Sequence, residues 1–280
     1  MDKKTVDLFI SYALAEDIGD GDHTSLSTIP PDAQGRARLV VKDAGILAGV
    51  ALAQAIFHHI DADLKVDVLL FDGASIKPGD IAFTVSGKTQ AILLAERLVL
   101  NCMQRMSGIA TKTHQMVQVV APYGVKILDT RKTTPGMRYL EKWAVRIGGG
   151  TNHRIGLYDM ILIKDNHVDY AGGIEKAILS ANAYLRAQHR DLPIEIEVRN
   201  MTELQEVLAT GQVQRIMLDN FTPALLKEAV HLINGRFISE ASGGITEQTL
   251  ADYASCGVDY ISMGALTHSV KSLDLSLKAY

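Results

Sequence analysis

From residue 125 onward the apolar positions fall into short runs, each closed by polar or small residues. The runs are 125–128 before Asp129, Thr130 and Arg131; 160–163 before Lys164; 194–196 before Glu197; 216–218 before Asp219; 237–239 before Glu240, Ser242, Gly243 and Gly244; and 260–263 before Gly264. Runs this short predict buried strands. From Glu197 to Asp219, to Ser242 and to Gly264 the intervals are 22, 23 and 22 residues, each enough for one strand, one helix and two loops. Such a βα repeat makes a parallel sheet, and polar residues converging from successive strand ends favour a barrel over an open sheet. Six strands are predicted, so the barrel is reduced, or is completed by the first part of the chain.

The first part has a different rhythm. Residues 3–16 read as an amphipathic helix, 36–42 and 64–70 as strands around a helix at 50–60, and 81–86 as a strand entered from a KPGD turn. This irregular spacing predicts an α+β domain with an antiparallel sheet. A long helix over about 90–120 follows, with a break expected near Ser107 and Gly108 and a buried face of Leu93, Leu94, Leu98, Asn101 and Cys102. Pro122 and Gly124 punctuate its end. The boundary is expected between 108 and 124, giving domains 1–112 and 113–269, with a tail of about 270–280 packing back on the first.

Length and composition narrow the possibilities. The chain has 280 residues, 47% of them hydrophobic, enough for a barrel with an added piece. No apolar run approaches the roughly 20 residues of a bilayer span, and Cys102 and Cys256 form neither a CxxC pair nor a metal-spaced set. A cytoplasmic protein is expected, without membrane contact. The net charge of -4 argues against general nucleic-acid binding. Yet residues 126–167 carry eight Lys and Arg against four acids. Arg138, Glu141, Lys142 and Arg146 stand at helical spacing and read at least as well as a solvated helix face. Arg131, Lys132 and Arg154 stand beside predicted strand ends or a glycine turn, where a small anionic ligand would explain them.

The densest chemistry is GGGTNHRIGLYDMILIKDNH, from Gly148 to His167. Three glycines let the backbone approach a ligand closely, and a lysine at a strand's carboxyl end is a candidate ligand group. Asp20 and Asp22 in IGDGDHTS suggest a cation loop, but the twelve-residue calcium pattern is missing. Neither a dinucleotide GxGxxG nor a Walker lysine motif is present.

Eight ordered blocks, EDIGDGDHTS, AERLVLN with SGIAT, TRKTTPGMRYLEKWAV, GGGTNHRIGLYDMILIKDNH, EIEV, LDN, EASGGI and ISMGALTHS, resemble quinolinate phosphoribosyltransferases over essentially the whole chain. The resemblance implies an N-terminal α/β sandwich followed by an incomplete, about six-stranded parallel α/β barrel. It implies a homodimer, or a higher oligomer, with shared active sites. It further implies transfer of phosphoribosyl from phosphoribosyl pyrophosphate to quinolinate with decarboxylation, dependent on Mg2+ and on no organic cofactor. Carried over by motif, Arg131, His153, Arg154 and Lys164 would bind quinolinate together with Arg97 of the partner subunit. Lys132, Glu197, Asp219, Ser242, Gly243, Gly244, Gly264 and His268 would bind the phosphoribosyl group. Lys132, Lys164, Glu197 and Asp219 would be catalytic, Glu197 and Asp219 also serving the metal, directly or through water. Two alternatives share the scaffold: a paralogous protein associated with molybdenum transport, and a non-catalytic sensor of a phosphorylated sugar or pyridine acid. The two carboxylates at successive strand ends favour the enzyme over the sensor.

Overall fold

The computed structural model describes residues 3–280, which form two compact units. One contains the chain up to His114 with Thr134–Gly149 and Ser269–Tyr280; the other contains Gln115–Thr133 and Gly150–His268. Thus Thr134–Gly149, in sequence beyond the expected boundary, clusters with the first unit. Twelve strands are formed among the described residues: β1 (Gln34–Val41), β2 (Gly45–Ile46), β3 (Lys65–Val68), β4 (Ser75–Ile76), β5 (Ile81–Lys88), β6 (Lys126–Leu128), β7 (Ile161–Ile163), β8 (Ile194–Val198), β9 (Arg215–Asp219), β10 (Ile238–Ser242), β11 (Tyr260–Ser262) and β12 (Leu275–Ala279).

In the first unit β12, β1, β5 and β3 form an antiparallel sheet in that order, as the irregular spacing predicts. Alternation places Ala37, Leu39 and Val41 of β1 in the core. Helix Val50–Ile60 buries Leu52, Ala53, Ile56 and Phe57, and Phe57 meets Phe83 of β5 edge-on, ring centroids 5.9 Å apart. The IGDGDHTS stretch that suggested a cation loop is partly helical: Asp22 caps helix His23–Thr28 by accepting the Ser25 N–H at 3.0 Å. Its carboxylate is thereby explained without a cation.

Helix Thr89–Val120 is continuous, so the expected break at Ser107 and Gly108 does not occur. Both residues serve close packing instead. Ser107 Oγ accepts the Ala48 N–H at 2.9 Å and donates to the Ala48 carbonyl at 3.2 Å, while a Cβ on Gly108 would collide with the Lys271 carbonyl. The roughly 1 kcal/mol that glycine costs in a helix is outweighed by that approach. The buried stripe comprises Ile92, Ala95, Val99, Cys102, Met103 and Met106, whereas Leu93 is 40% exposed; the expected face was rotated by about one residue. Helix Arg138–Ile147 brings a second correction, because Glu141 and Lys142 are fully buried and not part of a solvated face.

The second unit is a six-stranded parallel sheet in the order β6-β11-β10-β9-β8-β7, the incomplete barrel expected from the repeat. Its strands β8, β9 and β10 extend one to three residues past the apolar runs, so Glu197, Asp219, Glu240 and Ser242 lie within strands. In register, Glu195 faces Arg215, Glu197 faces Met217, Met217 faces Glu240, and Asp219 faces Ser242. Parallel pairing at period two therefore stacks these residues on one side of the sheet. No described helix is long and apolar enough to cross a membrane.

Candidate active site

A cavity of about 670 Å³ opens at the carboxyl ends of the parallel strands. All six contribute: Thr130, Arg131 and Lys132 follow β6, Leu162 and Lys164 come from β7, Glu197 from β8, Met217 and Asp219 from β9, Glu240 and Ser242 from β10, and Ser262 from β11, with Gly264 and His268 just beyond it. His153, Arg154, Gly243 and Gly244 complete the expected set. The structure thus brings together every candidate except Arg97, which is exposed on the part of helix Thr89–Val120 that lies in the first unit.

One wall is basic. Arg154 is buried, its Nη1 donating to the Met160 carbonyl at 3.1 Å, and its guanidinium pKa is held down first by desolvation and then by the nearby charge of Arg131. Two guanidiniums in one partly desolvated wall favour an anionic ligand. Lys164 adds an ammonium, its Nζ donating to Glu197 Oε2 at 3.0 Å. Asp159 shapes the approach by accepting the N–H groups of Ile155 and Gly156 at 2.7 and 2.9 Å.

The other wall is a backbone cradle. Gly243 and Gly244 have φ of 88° and 63°, and a Cβ on Gly243 would collide with Asn220, so glycine is required there. At Gly264 a Cβ would press on Lys132 and His268. Lys132 is itself placed by its carbonyl, which accepts from Thr267 Oγ1 at 2.8 Å. Behind Ser242-Gly243-Gly244 comes a turn at 246–249, and the next helix begins at Leu250. Exposed amides beside a lysine and a histidine suit a phosphate.

The three glycines at 148–150 do not line the cavity. A Cβ on Gly148 would strike the Ala110 carbonyl and Thr113, so close helix packing within the first unit accounts for it. Sequence reasoning also missed the floor beneath the cavity. His153 Nε2 lies 2.9 Å from Glu195 Oε2 and 3.6 Å from Glu240 Oε2, and Arg215 Nη1 lies 3.1 Å from Glu240 Oε2. Burial pushes Glu195 up to about 6 and Glu240 up to about 7, the latter further raised by Glu195. The period-two placement of Glu195 before Glu197 was the available signal.

Magnesium suits hard carboxylate oxygens, and the donors present, Glu197 and Asp219 on neighbouring strands, fit it. Glu197 Oε2 already receives Lys164, and Asp219 Oδ2 accepts from Asn220 Nδ2 at 2.6 Å. Both carboxylates have partners within the protein.

Comparison with known proteins bears on the whole chain. Residues 22–107 match the quinolinate phosphoribosyl transferase N-terminal domain and residues 109–278 its C-terminal domain. A chloroplastic nicotinate-nucleotide pyrophosphorylase (carboxylating) of Arabidopsis thaliana is 50% identical over 96% of this chain and 81% of its own length. The probable nicotinate-nucleotide pyrophosphorylase of Bacillus subtilis is 43% identical, covering 96% and 91%. The crystal structure of NadC from Streptococcus pyogenes superposes with a TM-score of 0.93 at 38% identity, over 99% of this chain and 97% of that one.

Proposed function

The chain belongs to the quinolinate phosphoribosyltransferase family, and from that premise we propose that its cavity joins quinolinate to phosphoribosyl pyrophosphate, releasing pyrophosphate and carbon dioxide and leaving nicotinate mononucleotide for NAD synthesis. The observation that carries this reading is the division of one cavity into a basic wall and a glycine cradle, with two carboxylates between them. Arg131, Arg154 and Lys164 hold the two adjacent carboxylates of the ring, planar guanidiniums supplying paired donors and the ammonium a point charge. Ser242, Gly243 and Gly244 hold the ribose 5-phosphate, and Lys132 and His268 neutralise phosphate charge beside Gly264.

Positioned this way, the ring nitrogen attacks the ribose carbon as pyrophosphate leaves. Positive charge develops on the ribose, and the fixed carboxylates of Glu197 and Asp219 stabilise it. The same two residues would hold magnesium together with the pyrophosphate; when bound, the ion neutralises departing phosphate charge. Glycosylation leaves the ring nitrogen cationic beside the carbon bearing the 2-carboxylate. The C–C bond then breaks with its electrons passing into the ring, carbon dioxide departs, and the carbon takes up a proton. The substrate supplies its own electron sink, so no organic cofactor is required. The test is turnover: protein, quinolinate, phosphoribosyl pyrophosphate and magnesium should yield nicotinate mononucleotide and carbon dioxide in equal amounts, and failure of the well-folded protein to do so contradicts the reading.

Arg97 enters as the residue that a second subunit lends to the site, which makes a homodimer the catalytic unit. Its exposure supports that role. Arg97→Ala and Lys164→Ala homodimers should each be inactive. Mixing them should restore activity, up to about half the sites of each heterodimer by two-fold symmetry. Verified subunit exchange without any recovery contradicts sharing. A reducing, cytoplasmic setting suits the two buried free thiols, Cys102 and Cys256.

A further inference from the structure

His153 has the composition of a ligand group but the surroundings of a bracket. Its own N–H donates to Asp129 Oδ1 at 2.9 Å, and its Nδ1 accepts the backbone N–H of Arg154 at 2.7 Å. A ring nitrogen that accepts carries no proton, so the neutral ring holds its proton on Nε2. That nitrogen faces the floor, 2.9 Å from Glu195 Oε2 and 3.6 Å from Glu240 Oε2. The His153 side chain is 6% exposed and both glutamates are fully buried. Arg215 secures the glutamates from their other side, at 3.1 Å from Glu240 and 3.9 Å from Glu195, with its guanidinium 4.7 Å above the Tyr260 ring. Nδ1 thus makes an aligned hydrogen bond, and Nε2 lies within ion-pair distance of both carboxylates without an aligned hydrogen bond to either.

We propose that His153 is a positioning residue, not a donor to the ring acid: Glu195 and Glu240 hold its ring, and the ring's Nδ1 fixes the Arg154 backbone so that the guanidinium is presented to the substrate carboxylates. This rests on the functional reading above for the identity of the anion, but not for the state of the histidine. The same three side chains offer ligand atoms within 4.8 Å of one another, an arrangement that also suits a divalent ion. Arg215 already supplies positive charge at Glu240, and a protonated Nε2 cannot ligate, so the geometry favours the bracket.

The direct test is a two-bond ¹H–¹⁵N spectrum of ¹⁵N-histidine-labelled protein, with the His153 signals assigned by their loss in His153→Asn. The expected result is a neutral ring protonated at Nε2, unchanged when quinolinate is added. A ring protonated at Nδ1, a doubly protonated ring, or a tautomer switch on addition of quinolinate overturns the proposal. So does a zinc-dependent shift of both nitrogens at stoichiometric zinc. Steady-state kinetics give a second readout. His153→Asn keeps an acceptor for the Arg154 N–H and should hold the quinolinate KM within about three-fold. His153→Leu removes the acceptor and should raise that KM roughly ten-fold or more with a smaller change in kcat. Equal, large KM increases in both variants indicate direct donation to substrate. Triple-resonance correlation of each imidazole with its own backbone assigns His153 independently, so the spectrum of the unsubstituted, ligand-free protein decides the tautomer even if the variants fold poorly or turnover takes a different ring.

Discussion

Glu141 in the first unit and Glu240 in the second are both fully buried, yet the protein treats them in opposite ways. Glu141 accepts from Arg105 Nε and Nη2 at 3.1 and 2.8 Å and from the Thr134 N–H and Oγ1 at 3.1 and 2.8 Å. Four donors on two oxygens leave it little to gain from any other arrangement. Glu240 accepts from Arg215 through Oε2, but no aligned donor reaches its Oε1 among the described residues, and Glu195 crowds it with like charge. A saturated buried carboxylate ties chain segments together. An under-supplied one stores electrostatic tension, and the second unit places that tension beneath the cavity where charge must be handled.

The contrast can be broken most forcefully at the saturated group. Glu141→Ala removes the carboxylate partner of Arg105 Nε and Nη2 and should destabilise the protein by about 3–5 kcal/mol, read as a lowered urea midpoint at constant slope. A loss below 1 kcal/mol would show that the four bonds are not a structural tie. Next in size is a change in chemistry without a change in fold. Asp219→Asn should lower kcat by roughly 10² to 10³, while calorimetry finds quinolinate affinity nearly intact. Collapse of quinolinate affinity with kcat preserved would place Asp219 on the ring side.

The smallest effect concerns pH. Burial raises Glu195 and Glu240 above the ordinary 4.5, to about 6 and about 7. Through that window the folded protein keeps protons that the unfolded chain has released, so the stability tied to these protons is present below about pH 4.5 and is lost as pH rises to 7. Glu240→Gln, which cannot ionise, should flatten the decline in unfolding free energy between pH 5 and 7.5. An unchanged slope would mean that another group carries it.

Much of this arrangement was legible from residue order. The regular intervals marked the parallel strands, and Lys164, Glu197, Asp219 and Ser242 were identifiable because a polar residue closing an apolar run lands at the mouth of a barrel. Glu195 and Glu240 as partners of His153 were not legible. A charged residue inside a strand looks like its end, and which residue it meets depends on register across two other strands. Glu141 and Lys142 misled for a related reason: charges at helical spacing signal solvent unless a tertiary partner, here Arg105 for Glu141, takes them inside. Gly148 misled because room for a ligand and room for a neighbouring helix have the same sequence signature.

On the proposed function, Arg131, Arg154 and Lys164 form a wall built for two adjacent ring carboxylates. The most direct measurement compares kcat/KM for quinolinate with that for nicotinic acid, which lacks one of them, under the same phosphoribosyl pyrophosphate and magnesium. The account predicts discrimination of about 100-fold or more in favour of quinolinate, because a missing carboxylate leaves buried donors unpaired. Equal turnover of the two acids would contradict it.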